Sequence, residues 1–434
     1  MAHLHASVVG AGLAGTEAAM QLAKRGIRVT LYEMKPKRFS PAHFNEDFAE
    51  LVCSNSFKAQ RLSSAAGLLK QEMRILGSVC LCAAEKARVP AGGALAVDRD
   101  IFSKEVTKEI KNQENIEICR REVTEIPKDE AVIIAAGPLI SDALAKALES
   151  RFGSLLSFYD AAAPIVTADS IDFDEAFIQS RYDTGEGDYV NCPMNKQQYE
   201  NFYEALVNAK TAKLHSFDVY EGCMPIEVLA KRGRDSIRYG PLKPVGLKDP
   251  RTAHRPWANL QLRKENAAGT LFNLVGMQTN LIFSEQKRVF SLIPALKNAE
   301  FVRYGVMHRN TFLNSPRLLN ADFSVKDERK LFFAGQITGV EGYMESAGSG
   351  ILAGINAANM LLREEPLKLP PVTMLGALSA YICDNTSKEF QPMGAAFGLL
   401  SALDEAPKDK KLRYEALAER SLKYLKEKFS AQED

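Results

Sequence analysis

Apolar, β-prone runs that end in glycine turns near both ends of the chain, with helical periodicity behind them, predict an α/β fold. The 434 residues suffice for two or three domains at roughly 150 residues each. Hydrophobic residues make up 46% and charged residues 25%, the balance of a soluble globular chain, which excludes a disordered or collagen-like one. The net charge of +1 excludes a polybasic nucleic-acid coat, although not a local basic patch.

The first element is the run His5–Val9, which leads into Gly10-Ala11-Gly12-Leu13-Ala14-Gly15. Ala14, Ala18, Ala19, Leu22 and Ala23 then fall on one helical face as far as Gly26, and Ile27–Tyr32 reads as a second strand closed by Glu33. Strand, glycine turn, helix, strand and acid in this order form a dinucleotide-binding βαβ unit. Gly10 permits the tight turn, Gly12 lets the backbone approach a pyrophosphate, and Gly15 lets helix and strand pack closely. The pyrophosphate is expected on the helix N-terminus, where N–H groups and the dipole favour negative charge. Ala11, Leu13 and Ala14 therefore join the three glycines as cofactor-binding candidates, and Glu33 is placed to accept from a ribose hydroxyl.

Ala131–Pro138 is a buried parallel-strand pattern ending in a turn, and Leu331–Gly339 repeats strand then turn. Glu341–Gly350 follows, and then an Ala-rich helix expected over Ile351–Leu362. This arrangement resembles the carboxy-terminal half of two-dinucleotide-type flavoproteins. In those, a strand end meets the ribityl chain and a glycine-headed helix points at the pyrimidine edge of the isoalloxazine. The resemblance implies FAD, held also by Gly335, Gln336, Gly350 and Ile351. It implies a Rossmann-like FAD-binding domain, residues 1–163 and 325–434, interrupted by an inserted α+β domain over residues 164–324. Tyr414, Leu417, Ala418, Ser421, Leu425 and Phe429 share one stripe of the tail, as expected of a solvated helix packed on the domain. No apolar run approaches the roughly 18 residues of a membrane helix. No Lys or Arg precedes the first apolar segment, so a secretory signal is not expected either.

The seven cysteines, at 53, 80, 82, 119, 192, 223 and 383, include no CxxC pair and no Cys/His metal spacing. An odd number of scattered thiols points to a reducing cytoplasm, free cysteines and no metal site. Most are expected to be buried packing residues. Cys53 in LVCSNSFKA and Cys223 in YEGCMPIE sit instead among polar and turn-forming residues. A thiol in such a loop is more exposed, and a neighbouring Lys or helix N-terminus can lower its pKa. Taken alone, each reads as an ordinary loop cysteine before it reads as a nucleophile.

In order along the chain, GAGLAGTEAA, CSNSFKA, EGCMPIE and GQITGVEGYMESAGSG resemble the folate- and FAD-dependent uracil-5-methyltransferases of bacteria, from Val8 to about Ala358. Those flavoenzymes make 5-methyluridine in the T loop of tRNA. The resemblance implies FAD, 5,10-methylenetetrahydrofolate as methylene donor, and NADPH or NADH as reductant. C5 of uracil is a poor nucleophile until a thiolate adds to C6, and a second group must later remove the C5 proton. By resemblance, Cys223 is the candidate for addition to C6, and Cys53 for proton removal or for guarding the methylene. Tyr343 would stack on the isoalloxazine or on a base, or pack as an aromatic at a domain seam. His308, in GVMHRN, would sandwich the folate pterin against the flavin, or be an ordinary loop histidine.

Between Lys231 and Lys264, ten Lys and Arg stand against Asp235 and Asp249, a net +8 that leaves −7 on the other 400 residues. Tyr239 and Trp257, the only tryptophan, are interleaved. The mixture suits phosphate contacts plus stacking on an unpaired base, with Lys231, Arg232, Arg234 and Arg238 as RNA-binding candidates. The glutamate tail of folate and the NAD(P)H phosphates compete for the same charges. The acceptor would be a tRNA or a ribosomal RNA uridine, with no stable protein partner expected. One rival is a wobble-uridine tRNA-modifying flavoprotein, a longer chain with an extra helical region. Another is an FAD-dependent small-molecule oxidoreductase, which needs neither Cys223 nor the basic segment.

Overall fold

The structure, a computed structural model, describes residues 4–430 except 41, 130, 154, 184–186, 213–223 and 386–389, and leaves aside the side chains at 158–160, 183, 308, 309 and 430. Its first sheet has six strands in the order Ser324–Val325, Glu328–Phe333, Val132–Ile134, His5–Val9, Arg28–Glu33, Ile116–Arg120. All neighbours pair parallel except the outermost Ser324–Val325. Val8, Leu31, Ile133 and Phe332 are buried, as a parallel sheet covered on both faces requires. The register puts Val9 beside Tyr32 on one side and Ile134 on the other, with Phe333 beyond. Four strands therefore end in one row, where the first and third continue into the Gly10 and Gly137 turns and the fourth into Gly335. This is the edge at which open α/β sheets bind ligands.

The helix after the first strand, Leu13–Lys24, packs along a long helix, Tyr343–Leu362. Small residues bring the two backbones together. A Cβ on Gly350 would lie 2.1 Å from the Ala14 carbonyl oxygen, and one on Gly354 would lie 2.7 Å from that of Ala18. The long helix begins at Tyr343 instead of Ile351. Gly342, at φ 124°, turns the chain into it, and Gly348 and Gly350 lie in its interior because close neighbours leave no room for side chains there. The closing helix, Lys410–Ser430, buries Leu417, Ala418, Ser421 and Leu425.

A second sheet of six antiparallel strands comes from the middle of the chain, in the order Phe177–Ile178, Tyr189–Met194, Ala258–Lys264, Leu271–Leu274, Ile165–Thr167, Phe301–Arg303. Alternation sorts its faces. Val166, Val190, Cys192, Met194, Leu260, Leu262, Phe272 and Leu274 share a core with the helices Lys196–Val207 and Phe283–Phe290. The intervening Asn191, Asn259, Gln261, Arg263 and Asn273 point the other way and are buried as well. The strand Met307–Phe312, pairing with Leu156–Ala161, connects this unit back to the first. No helix among the described residues is long and apolar enough to cross a membrane.

Candidate active site

A cleft opens along the row of strand ends. Gly10–Ala14 form its floor, and Tyr32–Lys35, Ala135–Ser141, Gly335, Gln336 and Tyr343 its walls. Each glycine of the floor is required for a different reason. Gly10 has φ +99° and a Cβ there would sit 2.6 Å from the Ala135 carbonyl oxygen. A Cβ on Gly15 would sit 1.8 Å from the Gly10 oxygen, whereas one on Gly12 would meet nothing within 4 Å. Gly12 thus presents bare backbone beside open space. The helices that start after Gly12 and Gly342 have no side-chain cap, so their first-turn N–H groups are available to an acceptor. Glu33 is only 7% exposed and accepts from the Ala11 N–H at 3.1 Å and the Lys35 N–H at 2.9 Å. With about four lone-pair sites on a carboxylate, room for ribose hydroxyls remains. The cradle fits a dinucleotide such as FAD, which the bare backbone at Gly12 and the Glu33 carboxylate would help to hold.

Gly335 and Gln336 line the cleft, and the Gln336 amide donates to Glu341 at 2.6 Å. Gly350 and Ile351 do not. Both are buried within the long helix, where Gly350 serves the approach of Ala14.

At the head of the long helix, Tyr343 meets Cys53. Its hydroxyl oxygen accepts from the backbone N–H groups of Cys53 at 2.9 Å and Ser54 at 3.3 Å, and lies 3.1 Å from the Cys53 Sγ. Two backbone donors occupy the lone pairs of a phenol oxygen, so the tyrosine O–H is left to donate to the sulfur. Burial, and then the neighbouring Cys53, raise the Tyr343 hydroxyl well above its ordinary value of 10.0, so it keeps that proton. Phe57 packs edge-on to the Tyr343 ring at 5.8 Å, and its carbonyl accepts from the buried Lys70 ammonium at 2.6 Å. Burial lowers Lys70 to about 8. Lys58, held at φ +63°, pairs at 3.1 Å with the buried Glu345 in the first turn of the same helix.

Three arginines that the motifs did not single out as active-site groups fix this loop. Arg99 donates to the carbonyls of Leu51 and Cys53 and pairs with Glu265. Arg303 donates to the Val52 carbonyl at 2.6 Å, and Arg263 to Asn55 at 3.0 Å and Ser54 at 3.2 Å. Burial lowers Arg303 and Arg263, and Arg99 also repels each of them. Burial costs Arg99 most, but Glu265, Tyr343 and Cys53 outweigh it and hold its charge. Among these groups three guanidiniums face one carboxylate, so the carbonyl side of the Cys53 loop is strongly cationic. One signal in the sequence could have found Arg263: Asn259, Gln261 and Arg263 alternate with apolar residues along one strand.

Cys223 lies outside the described residues. His308 falls on the strand Met307–Phe312 opposite Asp160, instead of in a loop, and its side chain is outside the description. Lys231, Arg232 and Arg234 are exposed, and Arg234 pairs with Glu204. Arg238 donates to the Trp257 carbonyl at 2.9 Å and the Tyr239 hydroxyl at 2.7 Å, lies 3.7 Å from Asp235, and has a side chain 12% exposed.

Residues 5–365 match the family described as Glucose inhibited division protein A. The chain is 57% identical over 425 residues to the methylenetetrahydrofolate–tRNA-(uracil-5-)-methyltransferase TrmFO of Acetivibrio thermocellus, covering 97% of this chain and 98% of that protein. The chain belongs to the TrmFO family. The relative from Lactobacillus johnsonii, with the same name, is 56% identical over 423 residues, 96% of this chain and 97% of that protein. Among solved structures, Aquifex aeolicus GidA in its form I crystal superposes with a TM-score of 0.72 at 19% identity, covering 98% of this chain and 76% of that one. That likeness shows a shared flavoprotein fold. The full-length match to the TrmFO relatives favours neither of the rival readings.

Proposed function

We propose that this protein methylates C5 of a uridine in tRNA, as the names of its full-length TrmFO relatives say of them. When bound, FAD and 5,10-methylenetetrahydrofolate supply the one-carbon unit and the electrons that make it a methyl group, with NADPH or NADH as the source of reducing equivalents. The observation that carries the reading is the placement of Cys53 on Tyr343, at the head of the helix whose N-terminus borders the dinucleotide cleft.

Cys223 is assigned the addition to uracil C6 that makes C5 nucleophilic. Cys53 is assigned the removal of the C5 proton once the new carbon–carbon bond has formed, after which the C6 thiolate is expelled. Tyr343 aims the Cys53 sulfur through their 3.1 Å contact. Arg99 and Arg303 fix the carbonyls on either side of that sulfur and add positive field. His308 is assigned to the folate pterin, and exposed Lys231, Arg232 and Arg234 to RNA phosphates. Thiol chemistry of this kind requires a reducing compartment, and we place it in the cytoplasm.

The test supplies FAD-loaded protein with undermodified tRNA, methylene-labelled 5,10-methylenetetrahydrofolate and NADPH. Label at uracil C5 is the expected result. Unlabelled tRNA, with a flavin that is still reduced, would overturn the assignment.

A further inference from the structure

The basic segment contains a compact aromatic cluster that the thiol chemistry does not use. The Arg238 guanidinium lies 3.8 Å from the centroid of the Trp257 ring and 4.8 Å from that of Tyr239. It also donates to the Trp257 carbonyl and the Tyr239 hydroxyl. One cation therefore stiffens two rings at once, and Lys196 sits 5.6 Å from the Trp257 ring. Despite this support the rings are not packed away. Tyr239 is 64% and Trp257 37% exposed. Exposed Lys231, Arg232, Arg234, Lys243 and Arg255 occupy the same segment. Exposed aromatic rings beside cations are what stacks an unpaired base while holding its phosphates.

The position of the cluster separates it from the reacting base. Trp257 precedes the strand Ala258–Lys264, whose other end carries Arg263 against Asn55 and Ser54, next to Cys53. Six residues of extended chain at about 3.3 Å each put Trp257 roughly 20 Å from that end. This is about six stacked base steps at ~3.4 Å each. A uracil within reach of Cys53 cannot also lie on Tyr239.

We propose that Tyr239 and Trp257, stiffened by Arg238, form a second RNA-binding subsite that stacks an unpaired base of the same tRNA, about 20 Å from the methylated uridine. The inference rests on the tRNA reading above and adds where, and by what chemistry, the rest of the RNA is held. Only an unpaired base offers its face to a ring, so the ligand is a single-stranded nucleotide and not the side of a duplex.

The test measures KM and kcat for two substrates, whole tRNA and a hairpin trimmed to the target loop and its few closing pairs. Both are assayed with wild type, Tyr239→Ala, Trp257→Ala and Tyr239→Phe. Loss of one stacked base, worth ~1–3 kcal/mol, predicts a rise in KM for whole tRNA of roughly 5- to 150-fold in either alanine variant. The KM for the hairpin and both kcat values stay at wild-type levels, and Tyr239→Phe, which keeps the ring, behaves as wild type towards both. Equal rises for the two substrates would move the cluster to the reacting loop and overturn the proposal. So would an unchanged KM for both, or a rise confined to the KM for NADPH. If wild type methylates neither RNA, the tRNA reading fails first and takes the subsite with it. Because Tyr239 is so exposed, Tyr239→Ala is the variant least exposed to a folding artefact, and its flavin reduction rate checks this.

Discussion

Gly10, Gly12 and Gly15 act through atoms they lack, whereas Arg99, Arg263 and Arg303 act through charges brought from three distant segments to one loop. The dinucleotide cleft is a construction of backbone: a tight turn, an uncapped helix and a bare Cα facing open space. The seam beside it is a construction of buried side chains, in which guanidiniums, a carboxylate, a lysine and a phenol surround the segment from Leu51 to Lys58. Backbone makes a site that is cheap to keep and tolerant of ligand charge. Buried charge makes one that is costly to keep but holds a sulfur and its proton donor in place. The two regions should therefore fail in different ways when altered.

The largest effect is expected at the buried ion pair. Arg99→Met removes the guanidinium that pairs with the buried Glu265 and donates to two carbonyls of the Cys53 loop, which should lower stability by about 3–5 kcal/mol. The further change Glu265→Leu should recover little of that loss in a urea titration, because it leaves the buried Arg263 and Arg303 without their carboxylate. Methylation should stay low in the double variant, because the Leu51 and Cys53 carbonyls have still lost their donor. If the double variant regains activity, the arginine is merely structural.

Within the cleft, Gly15→Ala and Gly12→Ala should part company. The first forces a methyl against the Gly10 carbonyl and should destabilise by about 1–3 kcal/mol or more. The second adds a methyl in open space, so surface-like changes within about 0.5 kcal/mol are expected in stability. That methyl nonetheless stands where diphosphate must approach, and FAD should dissociate more readily from Gly12→Ala in an equilibrium dialysis of bound flavin. Equal behaviour of the two variants would contradict the separate roles given to these glycines.

Lys70 gives the seam a pH signature. The native lysine loses its proton at about 8, against the ordinary 10.5 in the unfolded chain, because burial penalises its charge. Between these values the unfolded state binds the extra proton, so this group makes stability rise as pH increases from 8 towards 10.5. Lys70→Met should flatten that rise and be the more stable protein at pH 7.5, by about 1–3 kcal/mol. Urea midpoints at pH 7.5 and 9.5 for both proteins read the difference directly.

The same contrast explains what the sequence disclosed. The cleft was legible because its determinants are local: glycines at fixed spacing, a strand before them, and an acid closing the next strand. The start of the long helix was not, since Gly348 and Gly350 read as turn residues until Leu375 and Ala14 are seen to occupy the space beside them. Cys53 was visible as a thiol in polar company, but its partner Tyr343 lies 290 residues along the chain and meets it only in the folded protein. Arg238 was legible as charge and not as structure, because its commitment to Trp257 depends on tertiary contact.

The central claim, that cleft and seam divide one reaction between them, is tested most directly by Cys53→Ala. FAD content and the rate of flavin reduction by NADPH should match wild type, while label from methylenetetrahydrofolate fails to appear at uracil C5 of tRNA. Full labelling of tRNA by Cys53→Ala, or loss of the flavin along with the thiol, would contradict the account.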